Sequence, residues 1–135
     1  MKELSLPLES HSLVDTKGLG WYDGYFATKS MLDDGHVPTS IIGGSYDISV
    51  GILRAIKEAG LEIPRDISII GYDNIPQMAS LETPLTSVGV PIEDLAEEIV
   101  DSLIRIIEDP ESEIPQVQAL TPELNDRGSC SAAKK

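Results

Sequence analysis

The stretch Asp66-Ile67-Ser68-Ile69-Ile70-Gly71-Tyr72-Asp73-Asn74 decides how the rest of the chain is arranged. Its β-branched apolar run is typical of a parallel strand that helices cover on both faces. Gly71 lets the backbone leave the sheet, so Tyr72, Asp73 and Asn74 follow the carboxyl end of the strand, where open α/β sheets bind ligands. A carboxylate there can accept hydrogen bonds from two neighbouring hydroxyls of a sugar or ribose. The alternative is that Asp73 caps the turn before Pro76.

The composition is that of one acidic globular domain. Of the 135 residues, 41% are hydrophobic, which is enough for a packed core. The 23 acidic and 10 basic residues give a net charge of -13, so the surface repels phosphate backbones and this chain by itself is a poor candidate for DNA contact. It shows neither the ~20-residue apolar stretch of a membrane span nor a signal-peptide pattern. We therefore expect a cytoplasmic protein without membrane contact.

Apolar periodicity on either side of the opening stretch predicts alternating helices and strands. Residues 21–34 and 45–59 have helical spacing, and residues 37–43 have the apolar run of a second buried strand. A third strand is expected at 86–90, a long helix at 92–107 and a last short strand at 116–120. The fold class is therefore α/β, with a parallel sheet that contains the Ile41 and Ile69 strands and is flanked by helices on both faces.

The same periodicity predicts which side chains the helices bury. In the first helix the stripe runs through Trp21, Tyr25, Thr28 or Lys29, and Leu32, with Tyr22 and Phe26 beside it. The long helix carries a broad apolar face that we expect to be buried, made of Leu95, Ile99, Val100, Leu103, Ile104, Ile106 and Ile107.

The two buried strands should bring their polar ends together. If they are parallel neighbours, Ser45-Tyr46-Asp47 and Tyr72-Asp73-Asn74 share one edge of the sheet, with carboxylate and amide groups for ligand hydroxyls and rings for the apolar side of a sugar. Catalytic chemistry is not indicated: His11, His36 and the single Cys130 have neither triad nor metal-ligand spacing. We expect no enzyme activity, no metal and no cofactor.

Three motifs in order resemble the effector-binding core of lactose/galactose-repressor-type transcription regulators. They are Val-Pro-Thr-Ser at 37–40, the run from Gly51 to Asn74, and Thr-Pro-Leu-Thr-Ser-Val at 83–88. The resemblance implies a periplasmic-binding-protein-like fold with two subdomains, preceded in the family by a DNA-binding headpiece. On that basis residues 1–124 are an effector-binding domain, mainly the C-terminal subdomain, with 86–109 as the crossover segment and 125–135 as a flexible tail. The headpiece is expected to be absent from this chain, which is then a truncated form.

The resemblance also assigns residues to the effector site. Asp73 corresponds to the acid that holds effector hydroxyls, with Asn74 and Tyr72 beside it. Ser45 and Tyr46 stand where the family usually has Asn-Asp, and Trp21 falls near an aromatic that stacks on the ligand.

Association with a second copy is implied in the same way. The family's dimer contact maps to Val50, Leu53 and Leu81, and the alternative for these three is ordinary core packing. The expected function is the effector-binding and dimerisation region of a transcriptional repressor, which takes a carbohydrate or nucleoside-like effector and contacts DNA only through the headpiece. The alternative is a sugar-binding protein of a transport system.

Overall fold

The computed structural model describes residues 12–109 and 120–132, in which helices and strands alternate. The elements are α1 (Trp21–Asp33), β1 (Ser40–Gly43), α2 (Tyr46–Glu58), β2 (Ser68–Asn74), a short 3-10 helix (Pro76–Ser80), β3 (Ser87–Pro91), α3 (Ile92–Glu108) and β4 (Glu123–Asn125). The strand predicted at 116–120 lies almost wholly outside the described residues. The last described strand is β4 instead, a few residues later.

The four strands form one sheet in the order β1-β2-β3-β4. β1 pairs with β2 in parallel with Ile41 opposite Ile69, which confirms the predicted pairing, and β2 pairs with β3 in parallel. β4 runs antiparallel to β3, so the sheet is mixed. The α/β class with flanking helices is confirmed.

The core lies between this sheet and α2. Ile48, Ile52 and Ile56 from the inner face of α2 are buried against Ile67 and Ile69, and Met78 and Leu85 complete the cluster. Deeply buried aliphatic side chains of this kind each contribute about 1.5–3 kcal/mol. This packing holds the carboxyl end of β2 against the start of α2.

The first helix packs in a way that its apolar stripe does not predict. α1 buries Gly24 and Thr28, whereas Tyr22 and Phe26 are largely exposed. A Cβ atom on Gly51 of α2 would lie 2.0 Å from the carbonyl oxygen of Trp21, so the two helices touch backbone to backbone. Because glycines set this contact, the predicted stripe is only partly buried: Thr28 is buried and Leu32 packs against the core, whereas Trp21 is 40% exposed.

The second face of the sheet is apolar and open in the described residues. Because side chains alternate along a strand, Ile42, Ile70 and Tyr72 lie on the face of the sheet that does not carry Ile69. Ile42 is 79% exposed there. α2 covers the Ile69 face, and α1 packs on α2. The expectation of helices on both faces is therefore not met within residues 12–109 and 120–132.

The long helix α3 is the least covered element. No residue of α3 is buried, although its apolar face was expected to be, and Ile107 is 69% exposed. It follows β3 directly and contacts the body of the protein at that junction. Its apolar face has no covering element among the residues described.

The chain end at 125–135 was expected to be a flexible tail, but its described part is built into the sheet. Ser129 is fully buried: its Oγ accepts the N–H of Thr86 at 2.8 Å and donates to the carbonyl of Ile69 at 2.6 Å. The Ile69 N–H in turn donates to the Ser129 carbonyl. The prediction failed because Ser129 is small and polar, and only its partners across the sheet show that it is anchored.

Candidate functional site

The Asp73 carboxylate joins the end of β2 to the start of α2. Its Oδ2 accepts the backbone N–H of Tyr46 at 3.1 Å, and Ser45 Oγ accepts the N–H of Ile48 at 3.3 Å. Both bonds satisfy N–H groups in the first turn of α2, where a negative charge also interacts well with the helix dipole. The carboxylate therefore does cap an element, although that element is α2 and not the turn before Pro76.

The backbone of Asp73 is strained. Its φ of 93° is a conformation that residues other than glycine rarely adopt, and the β2–β3 register shifts between Tyr72 and Asn74. Gly89 on β3 makes this possible: a Cβ there would lie 2.5 Å from the Asp73 carbonyl carbon. Strain of this kind costs roughly 1–3 kcal/mol and is concentrated at functional sites.

Asn74 is held by Arg127, which follows β4 in the chain. Its Oδ1 accepts a hydrogen bond from Nη2 of Arg127 at 3.2 Å. With the carbonyl oxygen engaged, the NH₂ group is the part of this amide left for a ligand. Asp73 and Asn74 are both half-buried, so each retains contact with solvent.

The structure brings most of the predicted site residues to one place, which we call the carboxyl edge: residues 45–47 and 72–74. Ser45 contributes a hydroxyl that already caps α2. Tyr46 reaches Asp73 through its backbone N–H, and its half-buried ring packs against the core. Tyr72 is 57% exposed on the open face of the sheet. Asp73 and Asn74 add a half-buried carboxylate and a half-buried amide to the same edge.

Trp21 is not grouped with the carboxyl edge. It lines a separate pocket of about 430 Å³ with Tyr25, Val50, Arg54 and Glu58, on the outer side of α1 and α2. The physical reason is the close contact of α1 and α2 at Gly51, which puts Trp21 beside residues of α2 and not beside the sheet edge. None of the residues at the carboxyl edge lines that pocket.

This outer pocket has its own polar network. The Tyr25 hydroxyl donates to Glu58 Oε2 at 2.6 Å, and Arg54 forms an ion pair with the same carboxylate. The hydrogen bonds from Tyr25 and Arg54 lower the pKa of Glu58, and the bond to Glu58 raises the pKa of Tyr25. The network orients the ring of Tyr25 beside the pocket.

The three predicted dimer residues differ in their surroundings. Leu53 and Leu81 are half-buried and pack against the core, as the alternative interpretation expects. Val50 is half-buried and lines the outer pocket. Next to it lies a group of ring contacts, including Trp21 stacked on Tyr22 at 3.8 Å between centroids. We call the rings of α1 the aromatic surface; it consists of Trp21, Tyr22, Tyr25 and Phe26.

Sequence reasoning missed two residues that shape the site. Gly89 allows the close approach behind Asp73, and Arg127 holds Asn74. A glycine in the middle of a strand pattern signals a close backbone approach and could have pointed to Gly89. The local sequence around Arg127 carries no signal of its partner, because Asn74 lies 53 residues away in the chain.

The described residues, 12–109 and 120–132, hold no group of three or more His, Cys, Asp or Glu side chains placed to bind a metal. Nor do they contain a helix that is long and apolar enough to cross a bilayer.

Chemically, the carboxyl edge combines an acceptor with a donor. Asp73 offers a carboxylate, and Asn74 offers an amide NH₂ beside it. A ligand hydroxyl can donate to the first while another oxygen accepts from the second, which is the pattern of a diol. Each hydrogen bond to a charged group is worth about 1.5–3 kcal/mol.

Known proteins resemble this chain over most of its length. The model of the periplasmic binding protein-like domain matches residues 5–130. The ribose operon repressor of Escherichia coli (strain K12) is 35% identical over 106 residues, which are 78% of this chain and 32% of the repressor. The chain thus spans about a third of the length of that curated relative.

Solved structures agree with this result. A LacI family transcriptional regulator from Enterococcus faecium with bound ribose superposes with a TM-score of 0.77 at 31% identity, over 85% of this chain and 42% of that one. The lac repressor dimer bound to operator and the anti-inducer ONPF gives a TM-score of 0.71 at 29% identity, over 84% of this chain and 39% of the repressor.

Proposed function

Because this chain belongs to the family of periplasmic binding protein-like domains, as the effector-binding part of a lactose/galactose-repressor-type regulator, we propose that its carboxyl edge binds a small polyhydroxyl effector. The observation that carries the proposal is Asp73, held at the end of β2 in a strained conformation beside Asn74. Binding of the effector then shifts the conformational equilibrium of the regulator and thereby its affinity for DNA.

A sugar is the effector class that this chemistry favours. The described edge offers an acceptor and a donor without a free cationic group next to them, and the nearby Arg127 already binds Asn74, Ser87 and the backbone. A phosphorylated ligand would meet the carboxylates of Asp73 and Asp47. The ribose bound to the Enterococcus faecium regulator belongs to the class that fits.

The wider assignments are proposals of the same kind. Residues 1–124 are an effector-binding domain in which 86–109 form a crossover segment, and DNA contact belongs to a headpiece of the regulator. The protein acts in the cytoplasm, where a repressor meets its operator, and it is not an enzyme. The proteins to which the chain is similar are repressors, which favours this function over that of a sugar-binding transport protein.

We also propose that two copies associate through the aromatic surface together with Val50. Exposed aromatic side chains are enriched at protein interfaces, where they bury much area at low entropic cost. Tyr22 is 58% and Phe26 60% exposed, next to the 430 Å³ outer pocket. The lac repressor that the chain resembles is a dimer. Each copy carries a net charge of -13, so added salt should strengthen the association.

An NMR titration of the chain with D-ribose tests the effector proposal. We expect shifts of the amide signals of Asp73, Asn74 and Tyr46, with a Kd of about 1 mM or weaker, because the edge is open and 1 mM corresponds to only about 4 kcal/mol. Asp73→Asn keeps the shape but removes the charge, and should weaken binding at least about tenfold. Asp101→Asn, the same change at an exposed position of α3, is the matched control. Equal affinity of the two variants would contradict the site assignment.

Sedimentation equilibrium tests the dimer. Phe26→Glu places a charge in the aromatic surface and should raise the dimer dissociation constant by about two orders of magnitude, as expected for a disrupted apolar contact worth ~3 kcal/mol. Leu103→Glu makes a similar change on α3 and should leave the dimer intact. A Phe26→Glu protein that dimerises like the wild type would refute this interface.

A further inference from the structure

The Arg127 guanidinium has three acceptors in two separate segments, the end of β2 and the approach to β3. Its Nη1 donates to the Leu85 carbonyl and to Ser87 Oγ, both at 2.9 Å, and its Nη2 donates to Asn74 Oδ1 at 3.2 Å. The planar guanidinium can serve all three because its N–H groups point in fixed directions, which a lysine cannot reproduce. One side chain thus joins the end of β2 to the approach to β3.

The backbone of Arg127 is itself fixed, so the side chain starts from a defined position. The Arg127 N–H donates to Thr86 Oγ1 at 3.0 Å, and two residues later the fully buried Ser129 anchors the segment to Ile69. The guanidinium is half-buried, where its hydrogen bonds are screened less than those of an exposed arginine. Arg127 can therefore hold its partner Asn74 in place.

The neighbour that needs holding is the pair Asp73-Asn74. Asp73 has a φ of 93°, and the register between β2 and β3 shifts between the pairs Tyr72–Val88 and Asn74–Pro91, so Asp73 itself has no partner in the ladder. Gly89 provides space behind Asp73 but no attractive contact. The bond from Arg127 to Asn74 is the side-chain contact that restrains the pair from the β3 side.

We propose that Arg127 is the positioning residue of the effector site: by holding Asn74 Oδ1 it turns the Asn74 NH₂ toward the ligand and keeps the strained Asp73 carboxylate against the Tyr46 N–H. The ligand in this inference rests on the proposed function, but its mechanical part, the positioning of Asn74 and Asp73 by Arg127, does not. Arg127 contacts no effector hydroxyl in this scheme. It makes Asn74 a donor and Asp73 an acceptor, and so selects ligands with a diol over ligands that offer acceptors alone.

Amide hydrogen exchange measured by NMR tests the mechanical part. In Arg127→Gln, the Tyr46 amide should exchange about tenfold faster relative to the Ile56 amide in the same helix, because the strained loop opens locally more often. Arg127→Lys should restore part of the protection. Arg105→Gln is the matched control: it makes the same side-chain change at an exposed position of α3 and should leave the ratio of Tyr46 to Ile56 exchange unchanged.

Two outcomes would overturn the proposal. If Arg127 only stabilises the fold, Tyr46 and Ile56 accelerate together in Arg127→Gln, and the proposal is overturned. If Arg127→Gln does not fold, Ser87→Ala replaces it, since this variant removes one of the guanidinium's partners. Ser87→Ala should then raise the same exchange ratio, and an unchanged ratio rejects the proposal.

A second measurement separates this inference from the proposed function. In a titration with D-ribose, Arg127→Gln should bind about tenfold more weakly than the wild type, and the side-chain NH₂ signals of Asn74 should no longer shift. Wild-type affinity in a folded Arg127→Gln protein overturns the positioning role. If the wild type itself does not respond to D-ribose, the proposed effector class is wrong, and the exchange ratio alone then decides whether Arg127 positions Asp73.

Discussion

Replacing Asp73 tests both the structural and the binding roles of this carboxylate. Asp73→Ala removes the acceptor of the Tyr46 N–H, a bond to a charged group worth about 1.5–3 kcal/mol. The favourable interaction with the first turn of α2 is lost as well, which adds roughly 0.3–1 kcal/mol. The half-exposed position of Asp73 lowers both terms, so we expect a loss of about 2 kcal/mol in the free energy of unfolding.

Two companion variants separate the contributions. Asp73→Asn keeps an oxygen that can accept the Tyr46 N–H and should lose only ~0.5–1 kcal/mol, which is the share of the charge. Asp73→Gly loses the acceptor but adopts a φ of 93° without strain, and should therefore be about 1 kcal/mol more stable than Asp73→Ala. The expected order of stability is wild type, Asn, Gly, Ala.

Urea unfolding followed by far-UV circular dichroism measures these differences. With an m-value of about 2 kcal/mol per molar, the Asp73→Ala midpoint should fall by roughly 1 M. An Ala variant with the midpoint of the wild type would show that the Tyr46 contact contributes no stability. A Gly variant no more stable than the Ala variant would show that the backbone of Asp73 is not strained.

Three further predictions concern other parts of the molecule. Gly89→Ala should destabilise the protein by about 1–3 kcal/mol in the same unfolding assay, because its Cβ would meet the Asp73 backbone at 2.5 Å; a neutral effect would refute the close approach. Tyr25→Phe should raise the pKa of Glu58, as read by carbon-detected NMR titration, since the hydroxyl bond that lowers it is gone. The bond therefore stabilises the protein at neutral pH, and this stabilisation is lost as the pH falls through the lowered pKa of Glu58. If the free energy of unfolding depends on pH in the same way for the wild type and Tyr25→Phe, the prediction is contradicted. Leu103→Glu should reduce association beyond the dimer in light scattering at high concentration, because Leu103 belongs to the exposed apolar face of α3; unchanged scattering would count against that face.

Local sequence patterns were sufficient to predict the order of the elements and the two site residues at the end of β2. The apolar runs around Ile41 and Ile69 predict two buried strands, and the helix between them requires a parallel pairing. Because parallel strands end at the same edge, the polar residues after each strand had to meet there. Asp73 and Asn74 could therefore be named before any contact was known.

The tertiary structure alone decided what those residues touch. The partner of Asp73 lies 27 residues away in the chain and that of Asn74 lies 53 residues away, and periodicity carries no information about such distant pairs. The exposure of the α1 rings followed from the contact at Gly51, which no hydrophobic stripe reveals. Periodicity shows which side of an element is apolar, but whether that side is covered depends on how closely another backbone can approach. This is why the sequence placed the acid at the edge, whereas only the fold showed that Arg127 bonds Asn74 beside it and that Gly89 leaves room behind it.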